Sequence, residues 1–268
     1  MRYAPALAAL ASLLSASVAH AETRTICTAV ADVVTGKPIV QEGTCEASVT
    51  PASTFKIAIS LMGYDAGVLK DARTPELPFE EGYADWRPEW KQATDPTSWM
   101  AKSVVWYSQQ ITRSLGNERF QDYVAEFDYG NEDVSGDPGK HNGLTNAWLS
   151  SSLKISPLGQ LEFLRKIVSR ELAVSSDAFD MTAKLIDNGV QSSGWHVHGK
   201  TGAGLPTGAD GAPQPGRPYG WFVGWATKGD RTVVFARLIQ DSERQPTAPG
   251  ARARETVMRD LFSAAGSL

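Results

Sequence analysis

The chain has 268 residues, with 26 lysines and arginines against 30 aspartates and glutamates and a formal net charge of −4. A mildly acidic chain without basic runs argues against a nucleic-acid partner. The length allows one large domain, or one core with an inserted subdomain.

Residues 1–21 read as a signal peptide. Arg2 gives a short basic start, Ala6 to Ala19 is small and apolar, and Ala19-His20-Ala21 supplies a cleavage site after Ala21. The apolar run is too short to span a bilayer and polar Glu22, Thr23 and Arg24 follow it. The expectation is an exported protein with no membrane attachment once the leader is removed. In an oxidising compartment the two cysteines, Cys27 and Cys45, are expected to form a disulfide. Closing such a loop stabilises by about 3 kcal/mol in the loop-entropy account.

Ile26 to Val34 is rich in Val, Ala and Thr, Thr35-Gly36-Lys37-Pro38 breaks it, and Ile39 to Gln41 resumes an extended pattern. That predicts a β-hairpin. Pro51 to Leu69 reads as a buried helix, with Phe55, Ile59 and Met62 at helical spacing and a proline where a helix start tolerates it. Thr74 to Pro96 has no periodicity and reads as loop. Met100–Leu115, Glu118–Phe127, Pro157–Val168 and Ala178–Ile186 are predicted helices, with a loop over Tyr129–Asn142. Tyr219–Thr227 and Thr232–Gln240 read as strands joined by a turn at Lys228–Arg231, and Arg252–Ala265 as a closing helix.

Strands at both ends with helices between predict a mixed α+β architecture. One antiparallel sheet is built from both termini and flanked by helices, with a helical subdomain inserted. The boundaries are 22–60 and 190–268 for the sheet-containing part and 61–189 for the helical subdomain, one catalytic domain overall.

Ser53-Thr54-Phe55-Lys56 puts a serine and a lysine three apart on one helix face. An unassisted serine is a poor nucleophile at neutral pH, so a base beside it is what acyl transfer requires. The spacing alone decides little, because Ser151 and Lys154 repeat it. Three further segments give context: Ser103-Val104-Val105 in the second helical block, Tyr129-Gly130-Asn131 in a loop, and Lys200-Thr201-Gly202 before the last strands. Each is common by itself; together, in this order and in an exported chain of this size, they are specific.

The set resembles that of the class D serine β-lactamases, the oxacillinase type, over essentially the whole mature chain. The likeness extends through Pro51 to Lys56, Trp148 to Pro157, and Trp221-Phe222-Val223-Gly224-Trp225. It implies the serine β-lactamase/transpeptidase-like fold and a periplasmic location. It also implies an enzyme opening the lactam ring of penicillins, oxacillin-type penicillins and some cephalosporins among them, and thereby conferring antibiotic resistance. In that family the first Ser-x-x-Lys is catalytic, which favours Ser53 over Ser151.

The resemblance assigns roles residue by residue. Ser53 is the nucleophile, and its own N–H with that of Ala203 would form the oxyanion hole. Lys56 has to be basic to take a proton, and an ammonium cannot. The family's answer is carboxylation by carbon dioxide to N6-carboxylysine, with apolar Val105 nearby and the Trp148 indole holding the carbamate. Ser103 would bridge to the leaving nitrogen with Lys200 beside it. Lys200, Thr201, Gly202 and Ala203 would line the substrate, with Arg254 or, as the alternative, Arg252 completing the carboxylate site. Tyr129, Gly130 and Asn131 would shape a loop rather than move protons. Carbon dioxide is the sole small molecule implied besides substrate; no other cofactor and no metal is expected.

His196 and His198 alternate on a strand and share a side, but no third ligand is placed with them in sequence. The simpler reading is a strand-edge pair. Gly202-Ala203-Gly204 lacks the following helix and the lysine of a phosphate cradle. A function of another class is a penicillin-binding sensor or transpeptidase-like domain that acylates without turnover. The oligomeric state, a homodimer included, is left open by the sequence.

Overall fold

The computed structural model describes residues 22–207 and 213–268, so the expected leader lies outside the described residues. Six strands form one antiparallel sheet: β1 Thr23–Asp32, β2 Pro38–Gly43, β3 Asp187–Val190, β4 His196–Gly204, β5 Tyr219–Lys228 and β6 Arg231–Asp241. Their spatial order is β2-β1-β6-β5-β4-β3, so the first strand pairs with the last. The helices are α1 Lys56–Asp65, α2 Pro96–Lys102, α3 Val105–Glu126, α4 Gly143–Asn146, α5 Pro157–Val168, α6 Ser176–Leu185 and α7 Pro249–Asp260. The sheet of both termini and the intervening helices agree with the expectation. Cys27 and Cys45 are joined by a disulfide with Cα atoms 5.0 Å apart.

Central strands are buried on both faces, which explains why β5 and β6 read as nearly continuous apolar runs. Trp221, Val223, Val234, Ala236 and Leu238 face the large core shared with the helices. Phe222, Ala226, Val233, Phe235 and Ile239 face the opposite side, where Ala253, Val257 and Leu261 close a second core. The result is a sheet between one helical layer and α7.

Three local expectations change. The helix from Met100 to Leu115 is two helices, because Ser103 caps α2 in the left-handed conformation, with φ 57°, before α3 starts at Val105. The separate segments Met100–Leu115 and Glu118–Phe127 are joined in one α3, which breaks only at Gly116 with φ 77°. The closing helix begins earlier and ends earlier than Arg252–Ala265, since Pro249 occupies its first turn. Strand β3 gave no signal in sequence: it is four residues long and lies at the sheet edge. Three of its residues, 187–189, fall within the stretch read as helical subdomain and Val190 in the sheet-containing part.

Candidate active site

Lys56 lies at the start of α1, directly after a 3-10 turn, Ala52–Phe55, that carries Ser53. Two backbone contacts hold that turn: the Ala52 N–H donates to the Trp148 carbonyl at 3.0 Å, and the Thr54 N–H to Pro51 at 3.1 Å. From below, Phe55 packs against Tyr129, Trp148 and Phe120 with ring centroids 5.0, 5.7 and 6.1 Å away. Gln160 Nε2 donates to Thr54 Oγ1 at 3.1 Å and to Tyr129 Oη at 3.3 Å. A buried floor of this kind fixes the position of Ser53.

Strand β4 forms the facing wall. Its approach to the nucleophile turn requires glycine: a Cβ on Gly202 would stand 2.9 Å from the Pro51 carbonyl oxygen and 3.0 Å from the Thr54 methyl. On the other side, Gly250 of α7 approaches the Gly202 backbone too closely for a side chain. The third wall is the α2–α3 junction, where the left-handed Ser103 turns its hydroxyl inward. Ser53, Ser103, Val105, Thr201, Gly202 and Ala203 thereby share one cleft of about 420 Å³.

Two lysines sit behind the two serines. Lys56 Nζ is 3.4 Å from Ser53 Oγ, and Lys200 Nζ donates to Ser103 Oγ at 3.1 Å and to the Thr201 carbonyl at 3.2 Å. Lys56 is fully buried and Lys200 is 6% exposed. Burial disfavours the charged amine, so Lys56 is held well below the ordinary lysine range, with the Lys200 and Arg87 charges adding to the effect. Lys200 is brought down to about 7, first by burial and then by Arg87. Neither side chain has a carboxylate partner among the described residues. The Trp148 indole is also buried, and its Nε1–H has no hydrogen-bond partner among the described residues. An orphaned donor of this kind is costly, typically about 1–3 kcal/mol, unless an acceptor is supplied. A carboxylated Lys56 fits: it would bring acceptor oxygens into the one place that has a donor to spare.

The remaining expected residues fall as follows. Tyr129 is buried behind Phe55, and burial pushes its phenol upward, so it stays protonated. Asn131 clamps the segment with the second Ser-x-x-Lys: Nδ2 donates to Ser152 O at 2.9 Å, while Oδ1 accepts from the Lys154 N–H at 2.8 Å. Gly130 has φ 63° and passes too close to the Lys154 carbonyl to carry a Cβ. The triplet therefore builds a loop. Arg252 is bound to Asp241 and Thr247 and does not line the cleft. Arg254 lines an adjoining cavity of about 580 Å³, together with Lys200 and Thr201.

Among the cleft residues that sequence reasoning missed are Trp86, Arg87 and Glu89. They lie in the loop 74–96, where no period or motif marks them. It also placed no third group beside the histidines. Edge strand β3 puts Asp187 opposite His198, and His196 Nε2 lies 2.8 Å from Asp187 Oδ1. Ligand atoms of all three lie within 4.8 Å of one another.

A buried serine–lysine pair beside a second serine–lysine pair, on a sheet backed by a helical layer, defines a serine acyl-transfer site of the penicillin-recognising kind. The penicillin binding protein transpeptidase domain family matches residues 15–263. The chain is 45% identical to the β-lactamase OXA-9 of Klebsiella pneumoniae over 254 residues, covering 94% of this chain and 92% of that protein. Among solved structures, the OXA-427 class D β-lactamase superposes with a TM-score of 0.83 at 48% identity, covering 87% of this chain and 95% of that one. The regulatory protein BlaR1 of Bacillus licheniformis is 31% identical over 79% of this chain, which spans 32% of that protein. The chain belongs to the class D β-lactamases.

Proposed function

We propose that the protein hydrolyses β-lactams through an acyl-enzyme on Ser53 and thereby confers resistance, with penicillins as the primary substrates. The carrying observation is the fully buried Lys56, 3.4 Å from Ser53 and without an acidic partner among the described residues. Ser53 Oγ attacks the lactam carbonyl and the carbon–nitrogen bond breaks. The oxyanion is met by the N–H groups of Ser53 and Ala203, worth about 3–4 kcal/mol per donor in comparable sites. The released ring nitrogen takes its proton from the Ser103 hydroxyl. Lys200 refills Ser103, since a lysine brought to about 7 can give or accept a proton near neutrality. Water then cleaves the ester and restores Ser53.

The neutral Lys56 amine is the form that takes up carbon dioxide, and the resulting carbamate supplies a base for both half-reactions. Trp148 Nε1 would hold it, and Val105 keeps water away. No metal enters the scheme. Lys200 and Thr201 bind the substrate carboxylate with Arg254, which lies one helical turn beyond Gly250 and lines the adjoining cavity with both of them. Export to the periplasm with cleavage after Ala21 completes the reading. Among the described residues no helix is long and apolar enough to cross a membrane.

The test is ring opening of excess penicillin. Many turnovers per protein are expected, and a single stoichiometric burst would mark the acylating sensor or transpeptidase-like domain instead. Activity should fall in mildly acidic buffer depleted of carbon dioxide and return with bicarbonate; indifference to bicarbonate sinks the carboxylated lysine.

A further inference from the structure

The cleft does not end at Ala203. Beyond that residue it opens into a second cavity of about 850 Å³ between the Trp86–Arg87 loop, the end of β4 at Gly204–Leu205, and the segment 244–249 before α7. Trp86, Arg87 and Ala203 line both spaces. The direction of β4 orders a substrate along this path. On the hydrolase reading above, the ring carboxylate would sit at Lys200–Thr201 and the reacting carbonyl at Ala203. The substituent on the carbon next to the carbonyl therefore continues toward Gly204 and Leu205, into the second cavity.

The charge in that cavity is unexpected for an acidic chain. Among its described lining residues are two arginines, Arg87 and Arg244, and no carboxylate. Arg244 forms no ion pair among the described residues. Arg87 is 3.8 Å from Glu89, and both are half exposed, a weak pairing. Glu89 lines the catalytic cleft and not the second cavity. The arginine is also anchored. Its guanidinium lies 5.8 Å from the Trp90 ring centroid, and Trp90 is buried with Nε1 donating to the Lys102 carbonyl at 3.0 Å. Trp106 Nε1 in turn donates to the Trp90 carbonyl at 2.9 Å. Arg87 is thus tied to the residue just before Ser103. Next to it Trp86 is 65% exposed, a large apolar face turned to solvent. Two cations and an indole that is largely exposed, its ring centroid 5.9 Å from that of Trp90, call for an occupant with an anion and a flat ring.

We propose that this cavity is a subsite for the acyl side chain that favours β-lactams whose side chain itself bears a carboxylate, held between Arg87 and Arg244 with its ring against Trp86. The proposal rests on the hydrolase reading above and adds a substrate class to it. The test compares benzylpenicillin with α-carboxybenzylpenicillin, which differ by that one carboxylate, in the wild type, Arg87→Ala, Arg244→Ala and Arg244→Lys. The readout is the ratio of kcat/KM for the two substrates, together with the rate of Ser53 acylation followed by intact mass.

The ratio should fall about two- to fivefold in each alanine variant, the range for a partly exposed ion pair. It should recover in Arg244→Lys and shrink for the wild type in high salt. A ratio unchanged in both alanine variants overturns the subsite. If penicillin is acylated without turnover, the hydrolase reading fails, and the acylation-rate ratio still decides the subsite by the same criterion.

Discussion

The two Ser-x-x-Lys segments are the same motif with opposite fates, and their surroundings explain why. Ser53 and Lys56 sit where a 3-10 turn runs into a helix, so three residues bring the side chains to one face. Ser151 and Lys154 sit in irregular backbone before α5. Ser151 Oγ donates to Asp137 at 2.8 Å and Lys154 is exposed to solvent. Lys56 is wholly buried, which disfavours its charge, whereas Lys154 is exposed to water. On the proposed reading, the spacing makes a working pair where a helix brings both side chains to one face, and burial lowers the lysine's affinity for its proton. Asn131 ties the two regions together, because it holds the second segment in the non-helical path that leads from Trp148 to α5.

The sharpest way to break the comparison is to remove each serine. Ser53→Ala should lower kcat by about 10⁴-fold or more and abolish the penicillin mass adduct. Loss of the adduct in Ser151→Ala instead would reverse the assignment. Next in size, Trp148→Phe should reduce turnover about 10- to 100-fold, the worth of a hydrogen bond to a charged group, with a raised bicarbonate requirement. A loss that bicarbonate does not modulate would assign the indole to packing alone. Asn131→Ala should cost about 1–3 kcal/mol in urea unfolding, because two backbone groups lose partners, while Ser53 still acylates. If acylation disappears with no loss of stability, the triplet takes part in the chemistry.

A fourth prediction concerns Lys200. Its folded value of about 7 lies below the ordinary 10.5, so between those limits the unfolded chain holds more protons. Stability should therefore rise with pH across about 7 to 10.5, by at most about 1.4 kcal/mol per unit from this group. The destabilising contribution is complete below about 7 and gone above 10.5. Lys200→Met should flatten that slope in thermal melts, and an identical slope in both proteins would contradict the burial argument. The smallest effects belong to the second motif. Lys154→Ala should change stability by less than about 0.5 kcal/mol, as at other exposed positions. Ser151→Ala should cost about 1 kcal/mol for its bond to Asp137.

Much of the fold was readable because its signals are local. The hairpin of β5 and β6 announces itself through two apolar runs and a turn, and α5 through Ser156, Pro157 and a regular apolar face. Where the reading slipped, the cause was a backbone feature that periodicity does not carry. Ser103 looks like helix interior and is a left-handed cap. Strand β3 is too short to show alternation, and so Asp187 could not be placed beside the histidines. Trp86 and Arg87 lie in an aperiodic loop and reach the cleft only because Trp90 and Trp106 pin that loop to the end of α2.

The sequence by itself determined the inventory: an apolar run near the first residues, a cysteine pair, two serine–lysine spacings, a Lys-Thr-Gly turn, and strands at both ends of a helical middle. Those are properties of neighbouring residues, set by side-chain chemistry and backbone preference. Tertiary structure alone decided which lysine is buried, which indole is left without a partner among the described residues, and which of the arginines line the cavities beside Ser53. Each of these depends on burial and on through-space neighbours far apart in the chain. Lys56 is an ordinary cation in the sequence; the packing of Phe55, the aromatic floor and Val105 buries it and disfavours its charge.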